Sequence, residues 1–257
     1  MPGSEGGLGW LALAYGTSCL GCLLGLSAMT RARSSDGGVR VRWLLLSAVS
    51  IGGTGIWAMH FIAMLGFNLS GAPVTFNVPI TFVSLVVAVA VVGLGLTIAA
   101  AGQGDLRSLG VGGTITGLGV AAMHYLGMSA VNMGASVSYN TLIVLASVVI
   151  AVVASIVALW FAMNVRGIPA TVGAAMVMGV AVTGMHYTGM AAMKMYAAPL
   201  GTREGMTADQ LLAPLLGAIG VFTIVALFVA GLGPTERDLQ QENEIRANIE
   251  KLEAMRQ

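Results

Sequence analysis

Charge is scarce in this sequence. Only 9% of its 257 residues are Asp, Glu, Lys or Arg, and the two signs nearly cancel at a net charge of +1. So little charge leaves a soluble domain without enough polar surface, and it offers no basic patch for nucleic acid. Cysteine is nearly as rare: Cys19 and Cys22 are the only two, both in one apolar run, which excludes an oxidised scaffold. No lysine or arginine precedes that run in "MPGSEGGLGW". The expectation is a retained first helix rather than a cleaved signal peptide. Histidine occurs three times only.

Apolar residues make up 56% of the chain, at a mean hydropathy of +0.87. A helix needs about 20 apolar residues to cross a bilayer, and seven runs qualify: 8–30, 42–66, 76–101, 107–132, 140–164, 168–196 and 209–232. Each is too long for a barrel strand, and lipid offers the backbone no hydrogen-bond partner, so helix is the only form available. The reading is an all-α polytopic membrane protein, with a seven-helix membrane domain over residues 1–233. A short charged cytoplasmic helix follows over 234–257. Basic residues set the orientation. Arg31, Arg33, Arg40, Arg42, Arg107, Arg166, Arg237, Arg246, Lys251 and Arg256 all fall on one side if the N-terminus is outside, against Lys194 and Arg203 opposite. The expectation is therefore N-out and C-in. Trp10 and Tyr139 would lie at the outer interface, and Trp43 and Trp160 at the inner one.

The three histidines lie in matching settings: "MHFIAM" from Met59, "MHYLGM" from Met123 and "MHYTGM" from Met185. Seven residues before each is a glycine (Gly53, Gly117, Gly179), and three after is a small residue (Ala63, Gly127, Gly189). Eight after stands a polar group (Asn68, Asn132, Lys194), expected to cap the helix end or face water. This is an internal repeat of one two-helix unit used three times, with the seventh span outside it. Units that enter the membrane in the same direction are related by an axis along its normal. Spans two, four and six are expected to gather around that axis in pseudo-threefold fashion, the three glycines letting them converge below the imidazoles.

Residues i and i+4 share a helix face, so His60 with Met64, His124 with Met128 and His186 with Met190 predict a layer of imidazoles beneath a layer of thioethers. Imidazole suits several transition metals, whereas thioether selects soft ones, above all Cu(I). The implied cofactor is copper, Cu(I)/Cu(II). Its candidate ligands are His60, His124, His186, Met64, Met128 and Met190, with Met59, Met123 and Met185 as further candidates. A mixed set of this kind can hold both valences, so redox response or binding of a diatomic gas is reasonable chemistry. A single membrane histidine would read as a packing residue; three in register, with no others in the chain, do not. Met163, Met176 and Met178 read as packing. The Cys19–Cys22 pair reads as packing before it reads as a thiolate site. Tyr125 and Tyr187 flank their histidines as candidates for hydrogen bonding behind the ligands, but Phe61 stands at the equivalent place in the first motif.

Over residues 8–200, Met59-His60-Phe61, Met123-His124-Tyr125 and Met185-His186-Tyr187 make the chain resemble the MHYT domain family of bacterial integral-membrane sensors. The resemblance implies copper near the outer membrane face and sensing of oxygen, carbon monoxide or nitric oxide. It also implies a bacterial cytoplasmic (inner) membrane and fusion to cytoplasmic domains that make or break cyclic di-GMP. Here "PTERDLQQENEIRANIEKLEAMRQ" follows the last span. It reads as a charged helix open to three roles: docking a signalling partner, starting a linker, or standing solvated. Besides the sensor, two functions stay open: a copper permease or delivery protein, and a membrane-embedded copper enzyme.

Overall fold

The computed structural model describes residues 6–66, 75–132, 135–197 and 205–232, with the single positions 245, 249 and 255. Asn68, Arg203 and nearly all of the segment 234–257 lie outside the described residues. The helices are α1 (Gly6–Arg33), α2 (Gly37–Ala48), a π-helical segment (Val49–Ala58) running into α3 (Met59–Leu65), α4 (Val78–Ala101), α5 (Leu106–Ser129), α6 (Thr141–Asn164), α7 (Ile168–Ala191) and α8 (Ala208–Leu232). From α2 to α3 the chain is one continuous span. Among the described residues, six spans are long and apolar enough to cross a membrane, which makes this a multi-pass membrane protein. In α8 the described apolar stretch is Gly217–Val229.

α3, α5 and α7 each touch the other two, which makes their spans the inner set and α1, α4 and α6 the outer one, and burial varies widely among them. The most apolar window of the α2–α3 span is 89% buried, whereas that of α6 is only 22% buried. Val83 and Val86 of α4, and Leu145, Val149 and Val153 of α6, are exposed, as a lipid-facing surface requires. The outer helices lie between inner ones. α1 packs against the π-helical segment and α7, α4 against the π-helical segment and α5, and α6 against α5 and α7. α8 lies at the periphery, touching α1, α3 and the strand at its own start.

The expected spans to 132 and 196 are too long. α5 ends at Ser129 and α7 at Ala191, because the chain then turns into short strands. These are β1 (Thr75–Phe76), β2 (Val131–Asn132), β3 (Ala135–Tyr139), β4 (Met193–Ala197) and β5 (Met206–Thr207). β1 pairs antiparallel with β2 and β5, and β3 with β4. Asn132 and Lys194 are thus strand residues rather than helix caps. The helix caps are other asparagines: the Ile80 N–H donates to Asn77 Oδ1, and the Leu142 and Ile143 N–H groups donate to Asn140 Oδ1. The same two residues tie outer helices to inner ones, since the Asn77 N–H donates to the Ala130 carbonyl and the Asn140 N–H to the Ala192 carbonyl.

Lipid cannot satisfy polar side chains, and several of those between helices find partners within the protein. Trp57 Nε1–H donates to the Thr81 carbonyl and Ser84 Oγ, and the Ser47 hydroxyl donates to the Gly25 carbonyl. At the opposite end from the strands, Arg33 donates to the last carbonyls of α6 at Met163 and Val165, and Arg40 donates to Ala100 of α4.

Glycine sets the closest approaches. A Cβ added at Gly52 would lie 2.7 Å from the Ala88 carbonyl oxygen, and one at Gly113 2.7 Å from Ile156 Cα. The glycines seven residues before each histidine have a different role from the expected one. A Cβ at Gly117 would strike the backbone of Val152 in α6. One at Gly179 would strike Cys19 and Tyr15 of α1, and Gly53 faces Val89 and Leu85 of α4. All three seat inner helices on outer ones; they do not draw the inner helices together. Gly117→Ala should destabilise the protein by about 1–3 kcal/mol through overpacking of α5 on α6, seen as a lower midpoint of thermal unfolding in detergent. A midpoint equal to the wild type would show that the two backbones are less closely seated.

Candidate metal centre

α3, α5 and α7 end at Leu65, Ser129 and Ala191, in each case five residues after the histidine. This common register puts His60, His124 and His186 at one level, where their ligand atoms all lie within 4.8 Å of one another. All three rings are buried, at 1% exposure each. They meet edge to face, with ring centroids 4.9–5.2 Å apart. His60 Nδ1 stands 3.0 Å from His186 Nδ1 and 3.2 Å from His124 Nδ1.

A neutral imidazole carries one N–H and one lone pair. Hydrogen bonding alone therefore lets His60 Nδ1 satisfy only one of its two neighbours. Moving the protons to Nε2 does not help by itself: His60 Nε2 and His124 Nε2 are buried without a partner among the described residues. A buried donor left unpaired costs about 1–3 kcal/mol. A positive ion shared by the three lone pairs removes the conflict on the Nδ1 side. Bonds of about 2.0–2.1 Å would hold three nitrogens about 3.3–3.6 Å apart around such an ion, close to the separations found here. The residues present therefore fit a metal ion, and among the described residues no other cluster of His, Cys, Asp or Glu does.

The outer rims of the imidazoles explain the glycines three positions after His124 and His186. A Cβ added at Gly127 would stand 2.5 Å from His60 Nε2, and one at Gly189 would come closer still to His124 Nε2. Each glycine on one inner helix is the seat for the imidazole of another. In the sequence this signal was visible only as a repeated small residue, because spacing within one helix says nothing about which ring arrives from the next.

The methionines divide between two clusters. Met59, Met64 and Met128 are buried with Phe61 and Phe76 on the strand side of the triad, and Met190 packs against them. Met123 and Met185 belong to the larger cluster on the other side, together with Met178. Met176 is exposed rather than packed. Phe61, Tyr125 and Tyr187 each lie edge-on to their own histidine at 4.8–5.0 Å. The Tyr125 hydroxyl is engaged with Ser147 Oγ at 2.7 Å, and Tyr187 is 39% exposed. Cys19 and Cys22 are free thiols on α1, Cys19 beside Tyr15 and Gly179 and Cys22 against Gly55. Both lie in helix contacts, as packing residues do.

The comparisons agree with the repeat in the sequence. The family model MHYT, a bacterial signalling protein N-terminal repeat, matches residues 53–112, 117–175 and 179–238. Each match begins at the glycine seven residues before a histidine and runs on through the following helix. The third match therefore includes α8, and α1 is the helix left over, contrary to the expectation that the seventh span stands apart. The chain is 36% identical over 208 residues, 77% of its length, to the bifunctional diguanylate cyclase/cyclic di-GMP phosphodiesterase MucR of Pseudomonas aeruginosa. It is 32% identical over 93% of its length to the cyclic di-GMP phosphodiesterase NbdA of the same organism. It is 25% identical over 95% of its length to the signaling protein YkoW of Bacillus subtilis. The chain spans 30%, 30% and 32% of these relatives' own lengths. No solved structure matches it.

Gly127→Ala and Gly189→Ala should each push an imidazole off the common point and weaken metal binding by roughly 10–100-fold, the size of effect seen when a ligand's supporting contacts are lost. Titration of the purified variants with Cu(I) against a competing chelator measures this. Wild-type affinity in both variants would show that these glycines do not seat the ligands.

Proposed function

The chain belongs to the MHYT family of bacterial signalling proteins, and from that membership we propose a membrane sensor that holds copper on His60, His124 and His186. The observation that carries the proposal is the meeting of three buried imidazoles, with His60 Nδ1 at 3.0 Å from His186 Nδ1 and 3.2 Å from His124 Nδ1, in a protein with no other histidine. A shared cation gives those lone pairs a common partner.

Copper is the metal of choice because thioethers are the other donors in reach of the motif. Met64, Met128 and Met190 lie one turn from the imidazoles toward the strands, and Met59, Met123 and Met185 flank them. Soft sulfur favours Cu(I). The outer nitrogens add to this preference: His60 Nε2 and His124 Nε2 face glycine rather than a carboxylate or carbonyl. Such a partner would raise the basicity of the ring. Without it the imidazoles suit a singly charged ion better than a hard divalent one. Copper held there would supply a coordination position for a diatomic gas and a one-electron change of valence.

The chain's own part is to convert that event into movement. The three ligands come from three different inner helices, so a change in their spacing is a change in helix packing. In the proposed arrangement the inner helices surround a pseudo-threefold axis, the N-terminus lies outside the bacterial inner membrane, and the strands cover the site from the outer face. Helix movement would then reach residues 234–257 on the cytoplasmic side, where the receiver is a domain that makes or breaks cyclic di-GMP, the activity named for two of the relatives. A permease reading is less well supported. Away from the strands the space next to the triad is lined mostly by valine, leucine, isoleucine and alanine, with Thr116 and Ser155 its hydroxyls and Met178 and Met185 its only thioethers.

Metal analysis of the purified protein by mass spectrometry tests the proposal against a His60→Ala/His124→Ala/His186→Ala variant. Copper in the wild type and none in the variant is the expected result, with Met64→Leu, Met128→Leu and Met190→Leu together weakening retention of Cu(I) more than of Cu(II). Zinc in place of copper, or copper retained by the triple variant, would overturn it.

A further inference from the structure

On the side of the triad away from the strands lies a cavity of about 50 Å³, bounded by α4, α5, α6, α7 and the π-helical segment. Helical register ties it to the histidines. Ile56, Val120 and Val182 line it, and each stands four residues before one of them; Thr116 and Met178 stand eight before. One helical turn, about 5.4 Å, therefore separates this lining from the imidazoles. Met185, the neighbour of His186, closes the end nearest the triad.

The walls decide what the cavity can hold. Apart from Thr116 and Ser155 they are hydrocarbon and thioether, and the Thr116 hydroxyl already donates to the Val91 carbonyl at 3.2 Å. Water needs two to four polar partners, so a space of this kind stays dry and takes apolar guests. The volume is several times the roughly 10–15 Å³ that a single water-sized molecule requires. That admits a diatomic gas or a noble-gas atom and is too small for a quinone or an acyl chain. The α6 wall is made mostly of small side chains, Ala151, Ala154, Ser155 and Ala158 beside Leu159, and the adjacent Val153 and Val157 are exposed on its outer face.

We infer that this cavity is a docking site for small apolar gas molecules entering from the lipid, and that the gas passes from it beside Met185 to the histidine triad. The docking half stands on the lining alone; the passage half rests on the gas-sensing reading above. A hydrated metal ion is poorly served by this route, because Met178 and Met185 are its only thioethers and Thr116 and Ser155 its only hydroxyls.

Xenon is the probe. Crystals of the full chain grown in lipid and pressurised with xenon should show anomalous density between Val120, Val182 and Leu96. That density should vanish in Ala154→Phe, whose ring fills the space. Because an added ring can also disturb folding, Val182→Ala serves as the second variant: it enlarges the cavity and should retain xenon. In copper-loaded protein, carbon monoxide recombination after a photolysing flash should slow several-fold in Ala154→Phe and not in Val182→Ala, at unchanged copper content. Absence of xenon from the wild-type cavity would overturn the docking site. Xenon in place with equal recombination rates in all three proteins would overturn the passage. A wild type that takes up copper and xenon but no carbon monoxide would overturn the gas-sensing reading, and the passage with it, while the docking site stands.

Discussion

Three imidazole nitrogens meeting in a lipid-embedded interior form the constraint on which the rest of the structure depends. Each ring must leave its own helix, arrive at the same level as the other two and find no side chain in its way. The common level follows from the register of α3, α5 and α7, whose ends lie equally far from their histidines. The clear path is supplied by Gly127 and Gly189, where even one methyl group would collide with the incoming ring. An aromatic side chain beside each histidine then holds it edge-on. Left as three neutral rings, the cluster contains lone pairs and protons that cannot all be matched. The protein has built the geometry of a binding site and left its polar demand to be met by something else.

The surroundings of the triad are unequal on its two faces, and the inequality has a chemical meaning. On the strand side, methionines and Phe61 and Phe76 cover it, under short strands that tie the ends of inner helices to the caps of outer ones. Soft donors lie there, and no charged group is needed to hold a singly charged ion. On the other side the lining is mostly hydrocarbon, around a space the size of a small gas molecule. The first inner span differs from the other two in one further respect: its helix widens into the π-helical form between Val49 and Ala58, where glycines 52, 53 and 55 let α1 and α4 approach its backbone. π-helical turns often occur at functional sites, and this one leads directly into the helix that carries His60.

Much of this was legible in the sequence because membrane insertion leaves few choices. Hydropathy located the long apolar spans to within a few residues, and the triplicated Met-His motif named the three side chains that meet. What it could not locate has a common cause, which is that contacts between helices do not follow from spacing within one. The glycines seven residues before each histidine suggest an inner contact and serve the outer one, because only the partner helix decides which face a small residue must keep clear. The strands after α5 and α7 look like continued helix in the sequence, since two to five residues of Val, Met and Tyr carry no period of their own. The repeat is plain in the sequence, but its phase is not. A unit beginning at the inner helix accounts for α8 and leaves α1 over, and α1 then fills the place between the first and third inner helices.

The central claim is that the three Nδ1 atoms share one copper ion. X-ray absorption at the copper edge, on the purified protein reduced to Cu(I), measures the ligand set directly. The account predicts imidazole nitrogens at about 2.0 Å as the dominant neighbours, with any sulfur contribution lost when Met64, Met128 and Met190 become leucine and the nitrogen shell unchanged. A shell made of sulfur alone, or an identical spectrum after replacement of His60, His124 and His186, would contradict it.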